Sequence, residues 1–428
     1  MQKSEIFKKD RKYVWHPYTQ EKHSSNIVIT GGQGARLFTD NGRILIDAVS
    51  SWWVNLHGHA NTYIADKIAE QSRKLEHVIF GGFTHAPAVE LAERLLRHLP
   101  SGQSKIFYSD NGSTSVEIGL KMACQYWFNK EAKRTKIISF NGAYHGDTIG
   151  TMSVGARTVF SNPFKPYMFE NIFIDAPVSG HENEAVDQLR KAISSEDVIA
   201  FIFEPLVQGT AGMVMHSADT LSQMIKICRE NNVLTIADEV ATGFGRTGKF
   251  FASDYLSETA DIICLSKGIT GGFMALGATS CTEEIYSAFY DDSKMKTFFH
   301  GHSYTANPLA CSAALASLDI MEDEKTWRDI ERISLRHTSF LQDIEKYAPA
   351  VSSRQLGTIA VVEIKTSEET SYFNPARDTL YNFFIENGVI LRPLGNVIYI
   401  LPPYCISDEE LDLVYGIIEK AVIKFAPA

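Results

Sequence analysis

Residues 198–238, "VIAFIFEPLVQGTAGMVMHSADTLSQMIKICRENNVLTIAD", hold an apolar run (198–204), a helical stretch (218–231) and a second apolar run (233–238) that ends on Asp238. Two β-rich runs joined through a helical pattern predict a strand–helix–strand crossover. The same alternation extends outward: upstream to "KIFYSD" (105–110) and 137–140 with a helical stretch at 114–130, downstream to 262–265. In 114–130 the apolar residues Val116, Leu120, Ala123 and Trp127 recur at spacings of three to four, and Thr114-x-x-Glu117 has the form of a capping box. The pattern predicts an α/β domain built on a largely parallel sheet.

The tail from about residue 324 reads differently. It offers a helix, a strand "GTIAVVEIK" (357–365), a helix near 377–387, a hairpin-like "GVILRPLGNVIYILPP" (388–403) and a last helix opened by Ser407-x-x-Glu410. That is a smaller α+β unit. A hairpin near the N-terminus, "RLFTDNGRILIDA", turns on Asp40-Asn41-Gly42 and is expected to join it. The expected division is a large α/β domain at 50–323 and a small α+β domain from 1–49 and 324–428.

Composition narrows the function classes. The 428 residues are 44% hydrophobic and 21% charged, ordinary values for a globular protein. The net charge is −10 with no basic block, which argues against a nucleic-acid or anionic-membrane surface. The six cysteines form no C-x-x-C pair and read as reduced core residues. The first twenty residues lack the apolar core of a signal peptide, so the cytoplasm is the expected compartment. His57/His59 and His300/His302 have no Cys, Asp or Glu partner at metal-ligand spacing, and no metal site is expected.

The chemistry-bearing residues cluster at the ends of the apolar runs. From Ile262 to Thr282, Lys267 is the only charge, flanked by glycines. An unpaired ammonium in such surroundings is disfavoured, which promotes imine formation. Run 105–110 leads through Asn111-Gly112-Ser113 into a helix, whose free N–H groups and positive end suit a phosphate. Run 233–238 delivers Asp238 to the crevice edge, and "NGAYHGDT" (141–148) places Tyr144, His145 and Asp147 beyond another run. Each feature has a plainer structural reading, as a cap or as loop packing; together they are the parts that hold pyridoxal 5′-phosphate. "GFGRTGKF" (243–250) has the glycine spacing of a dinucleotide fingerprint and nearly that of a Walker A loop. It neither follows its strand directly nor opens a helix, and Phe250 stands where the Walker hydroxyl belongs.

The motifs "IADEVATGFGRTGKFFA" (236–252), "ADIICLSKGITGG" (260–272), "FNGAYHGDT" (140–148) and "HGHSYTANPLAC" (300–311) resemble those of the class III pyridoxal-phosphate-dependent aminotransferases. Within that family, "WHPYTQ" (15–20), "DAVSSWWVNLHGH" (47–59), "DNGSTSVEIGLKMACQYW" (110–127) and "RPLGNVIYILPPY" (392–404) are similar to the members that act on 8-amino-7-oxononanoate and S-adenosylmethionine. The resemblance implies the fold-type I architecture and a homodimer with the cofactor at the subunit interface. It implies Lys267, Asp238 and Tyr18 as catalytic residues. Lys267 would carry the cofactor and shuttle a proton, and Asp238 would pair with the pyridine nitrogen. Tyr144 would stack on the ring, and Gly112 and Ser113 would bind the phosphate, with Ser303 reaching it from the other subunit. Tyr18, Trp52, Trp53, Tyr144, Gly301, Arg392 and Tyr399 would line the substrate pocket.

Overall fold

The computed structural model describes residues 5–158, 160–195, 197–368 and 370–427. Sixteen strands run through it in chain order. Three come early: β1 (Ile29–Gln33), β2 (Arg36–Thr39) and β3 (Ile44–Asp47). The middle carries β4 (Gln103–Ser109), β5 (Lys136–Phe140), β6 (Ile172–Ile174), β7 (Val198–Phe203), β8 (Val207–Gln208), β9 (Val214–Met215), β10 (Leu234–Asp238), β11 (Ile262–Leu265) and β12 (Gly277–Thr282). The tail adds β13 (Val351–Leu356), β14 (Ile359–Ile364), β15 (Val389–Ile390) and β16 (Val397–Ile400).

Seven strands form the central sheet in the order β4-β12-β11-β10-β7-β5-β6. Only β12 runs against the others. β7, β10 and β11 are buried at every position, as expected for parallel strands covered on both faces. Alternate residues serve opposite faces. Ile202, Ile236 and Ile262 pack with the helix Gly112–Asn129, while Phe201, Ala237 and Ile263 join the core on the other side with Leu221 and Met224 of the helix Ala218–Glu230. The first helix lies close enough that a Cβ at Gly119 would stand 3.1 Å from Cys264 Sγ and 3.3 Å from Ile262 Cγ2.

That helix starts earlier than its sequence pattern predicts. Asn111, not Thr114, is the cap: its side chain accepts from Thr114 N at 2.9 Å, and Thr114 Oγ1 accepts from Asn111 N at 3.1 Å. Glu117 is therefore free of capping duty and accepts instead from Thr148 Oγ1 (2.6 Å) and Gly150 N (2.8 Å). Gly112 and Ser113 fall in the first turn, ahead of the first intrahelical bond from Ser115 N to Asn111 O (3.0 Å).

Residues 388–403 are not a hairpin. β15 pairs in parallel with β3, completing a sheet β1-β2-β3-β15, whereas β16 pairs antiparallel with β14 in a separate three-stranded sheet. An isolated bridge, Leu394–Val397, joins the two arms at the turn. The turn at Pro393-Leu394-Gly395 sends them to different sheets, and Arg392 sits where they part. Cys228, Cys264, Cys281 and Cys311 are buried, while Cys124 and Cys405 reach the surface; all six are free thiols. No helix among the described residues is long and apolar enough to cross a membrane.

Candidate active site

In a parallel sheet every strand delivers its carboxyl end to the same edge, and here those ends carry the polar groups. β10 ends on Asp238, which pairs across to Cys264 of β11. Three residues further, Lys267 opens a short 3-10 turn with φ 44°, a strained value for a non-glycine residue. β7 runs into Glu204, β5 leads to Tyr144 and His145, and β4 leads to the helix starting at Gly112.

Lys267 Nζ lies 4.3 Å from the centre of the Trp53 ring. Among the described residues no carboxylate is within ion-pair distance of it. Burial pushes the amine down to about 8; Asp238 and Glu204 oppose that shift and Arg246 adds to it. Asp238 is 5% exposed; its Oδ2 accepts from His145 Nδ1 at 2.7 Å and its Oδ1 accepts from Val240 N at 3.1 Å. His145 Nε2 is buried and has no hydrogen-bond partner among the described residues. Glu204 accepts from the amides of Tyr144 (3.0 Å) and Gly209 (2.9 Å), and burial raises its pKa to about 7.

At the helix start, Ser113 Oγ accepts from Asp147 N at 3.1 Å. Gly146 (φ +128°) lets the 144–148 loop come this close: a Cβ there would stand 2.2 Å from Ser113 Oγ. The hydroxyls of Tyr18 and Tyr144 both donate to Asp147 Oδ2. Burial, followed by the bond to Asp147, pushes Tyr18 up to about 12, so it stays a neutral donor. The Tyr18 ring meets Trp52 edge-on at 5.6 Å, and the Arg392 guanidinium rests 4.6 Å from the centre of the Trp52 ring. Arg392 has no ion-pair partner among the described residues. Tyr399 is only 2% exposed; its hydroxyl accepts from Trp53 Nε1 at 3.2 Å, so it supports Trp53 from behind.

Most of the sequence-predicted site residues thus meet at one edge: Lys267, Asp238, Gly112, Ser113, Tyr144, Tyr18, Trp52, Trp53, Arg392 and, behind them, Tyr399. Gly301 and Ser303 do not. Both are exposed, in a loop whose His300 contacts Lys121 (2.9 Å) on the flank of the helix Gly112–Asn129. Glu204 was missed although it carries the same signal as Asp238, a carboxylate ending an apolar strand. Asp47 and Arg246 had no local signal. Arg246, in the glycine-rich 243–248 segment, is 1% exposed and donates to Pro402 O at 2.7 Å.

The turn that carries the tryptophans is unusual. Ser50, Ser51, Trp52 and Trp53 have φ of 49°, 45°, 70° and 73°, four consecutive non-glycine residues in a left-handed turn. Each costs about 1–2 kcal/mol relative to the right-handed form.

The residues fit pyridoxal 5′-phosphate. An amine with a lowered pKa, a carboxylate on the next strand, an aromatic ring and the unbonded amides of a helix start share one edge, where His145 holds the carboxylate through Nδ1. Among the described residues no group of His, Cys, Asp or Glu side chains could hold a metal ion.

Comparison with known proteins agrees with the geometry. The family model for aminotransferase class-III matches residues 18–422. An adenosylmethionine-8-amino-7-oxononanoate aminotransferase from Synechococcus elongatus is 44% identical over 95% of this chain and 97% of its own. The crystal structure of the enzyme of that name from Methanocaldococcus jannaschii superposes with a TM-score of 0.91 at 37% identity, covering 97% of this chain and 98% of that one. An amine transaminase from an uncultivated Pseudomonas species, in its PLP-bound form, gives 0.89 at 29% identity over 96% and 98%.

Proposed function

Because the chain belongs to the class-III aminotransferases, we propose that it moves an amino group from S-adenosylmethionine to 8-amino-7-oxononanoate, yielding the 7,8-diaminononanoate used in biotin synthesis. The cofactor is pyridoxal 5′-phosphate. When bound, it supplies an aldehyde that condenses with amines and a pyridinium ring that accepts electron density from the substrate's Cα–H bond.

The protein's own groups do the rest. Lys267 would hold the cofactor, and its amine, pushed toward the neutral form by burial, would take and return the substrate's Cα proton. Asp238, kept in place by His145 and Val240 N, holds a proton on the pyridine nitrogen by charge. The amides of Gly112 and Ser113 and the positive end of their helix take the phosphate. Trp52, Trp53 and Tyr18 exclude water and stack on flat or cationic donor groups.

One observation carries the substrate reading: Arg392 lies over Trp52 beside this site, with no carboxylate partner among the described residues. A planar guanidinium so held suits the carboxylate of a keto acid bidentately. Arg392→Ala is expected to raise the acceptor KM by about 10- to 100-fold, the scale of a charge-assisted hydrogen bond. The donor half-reaction should change little, as read by stopped-flow absorbance. Equal damage to both half-reactions would make Arg392 a structural residue.

The donor is tested by mixing the holoenzyme with one amine at a time and following its visible absorbance. S-adenosylmethionine should convert the cofactor to its amine form, and addition of 8-amino-7-oxononanoate should then restore the starting spectrum and release the diamine. Conversion by lysine alone would assign lysine as donor. Conversion only by ornithine, GABA or a diamine would point to another ω-aminotransferase.

A homodimer in the cytoplasm belongs to the same proposal. The dimer is supported by the position of Gly301 and Ser303, exposed and apart from the Lys267 cluster in one chain, where a second copy could use them. A division into 50–323 and 1–49 with 324–428 is likewise proposed; the pairing of β3 with β15 supports it.

A further inference from the structure

The left-handed turn at Ser50–Trp53 is held mainly by one side chain, Asp47, at the end of β3. The Asp47 carboxylate is fully buried. Its Oδ1 accepts from the amides of Val49 (3.2 Å) and Ser51 (3.0 Å), and its Oδ2 accepts from Ser51 Oγ (2.7 Å) and His59 Nε2 (2.9 Å). His59 is fixed in turn, with Nδ1 accepting from Asn55 Nδ2 at 3.0 Å. Burial alone would raise the carboxyl's pKa, but the bonds from His59 and Ser51 outweigh it and hold the group ionised. Two further clamps come from distant segments: Ser50 Oγ donates to Leu401 O (2.7 Å) and Arg246 Nη2 approaches Trp53 O (3.5 Å).

Glycines would adopt this turn without strain, but glycines carry no indoles. Here the turn must be left-handed and also present two large rings: Trp53 to Lys267 and Tyr399, Trp52 to Arg392 and Tyr18. A strained backbone persists only where its surroundings over-determine it. A four-bond carboxylate at the turn's entrance does that.

We propose that Asp47 is a positioning residue: it holds the Ser50–Trp53 turn left-handed and so sets Trp52 under Arg392 and Trp53 over Lys267, which tunes the grip on the keto-acid carboxylate. The consequence for the acceptor rests on the transaminase reading above; the hold on the turn does not. Asp47 touches neither substrate nor cofactor and acts through the two indoles.

The test uses the full-length chain as Asp47→Ala and His59→Ala, each with and without Ser51→Gly. Position 51 is exposed and has φ 45°, so glycine there removes part of the strain that Asp47 restrains. In the cofactor-free protein, Asp47→Ala should weaken the near-ultraviolet circular dichroism of the tryptophans, and Ser51→Gly should restore it. In the holoenzyme, Asp47→Ala should raise the acceptor KM by about tenfold while kcat falls less than about threefold, and the added glycine should recover most of the loss. His59→Ala leaves three of the four bonds in place and should show the same pattern at smaller amplitude. An unchanged tryptophan spectrum and acceptor KM in Asp47→Ala, or in His59→Ala where Asp47→Ala does not fold, would overturn the proposal. So would a Ser51→Gly partner that restores the melting temperature but leaves KM raised. Wild-type inactivity on 8-amino-7-oxononanoate would instead refute the substrate reading, and the spectral comparison would still judge the turn.

Discussion

Lys267→Ala should abolish both turnover and the visible absorbance of the holoenzyme. The loss of a positioned proton shuttle alone costs about 10²–10⁴ in rate, and here the same side chain also anchors the cofactor. In the wild type, borohydride treatment should fix the cofactor to the peptide containing Lys267. A borohydride-stable adduct still formed by the variant would mean that another lysine is the partner. The lowered pKa adds a pH signature. Only the neutral amine condenses with an aldehyde, so reconstitution of the cofactor-free protein should quicken as pH rises through about 8 and level off above it. An unperturbed lysine would keep accelerating toward pH 10.4.

Asp238→Asn should fold and still bind cofactor, yet turn over about 10²-fold slower or worse. An amide in place of the carboxylate leaves the pyridine nitrogen without its counter-charge, and two pKa units there correspond to roughly 2.7 kcal/mol, or 10²-fold. The fold should tolerate the change because Asn Oδ1 can still accept from Val240 N. His145 would have to turn acceptor at Nδ1 and move its proton to Nε2, which has no partner among the described residues. Thermal melting would check the fold and stopped-flow kinetics the chemistry; a loss of only two- to threefold would be too small for the assigned role.

The sequence carried these two residues clearly because both follow apolar strands of one parallel sheet, and local pattern alone places such strand ends together. Glu204 carried the same mark, a carboxylate ending "VIAFIFE", and its burial within electrostatic reach of His145 and Asp238 becomes visible only in three dimensions. Asp47, His59 and Arg246 escaped for a different reason. Arg246 reaches the carbonyls of Trp53 and Pro402, which no window of sequence links to it, whereas Asp47 and His59 lie near their partners Val49, Ser51 and Asn55 but show no pattern that marks the left-handed turn they hold. Two local misreadings share a cause. The Thr114-x-x-Glu117 box and the 388–403 hairpin are both good local patterns that a competing partner overrode: Asn111, three residues upstream, capped the helix first, and β15 paired with the distant β3 and not with β16. Tyr399, expected to line the pocket, lies one layer deeper because its hydroxyl is taken by Trp53.

The parallel pairing of Ile46 with Val389 sets an order of events for the nascent chain. All seven strands of the central sheet lie between residues 103 and 282, so the half of the site built on Asp238 and Lys267 can assemble as soon as that stretch has emerged. The half built on Trp52, Arg392 and Tyr399 has to wait. At about 5–20 residues per second of synthesis, the N-terminal strands stand unpaired on their β15 side for roughly 20–70 seconds before their neighbour exists. In the last part of that interval, the roughly 5–20 seconds of synthesis between Thr282 and Val389, the Asp238–Lys267 half stands complete with no finished wall to choose what reaches it. Substrate choice is thus the last property this polypeptide acquires on its way from the ribosome.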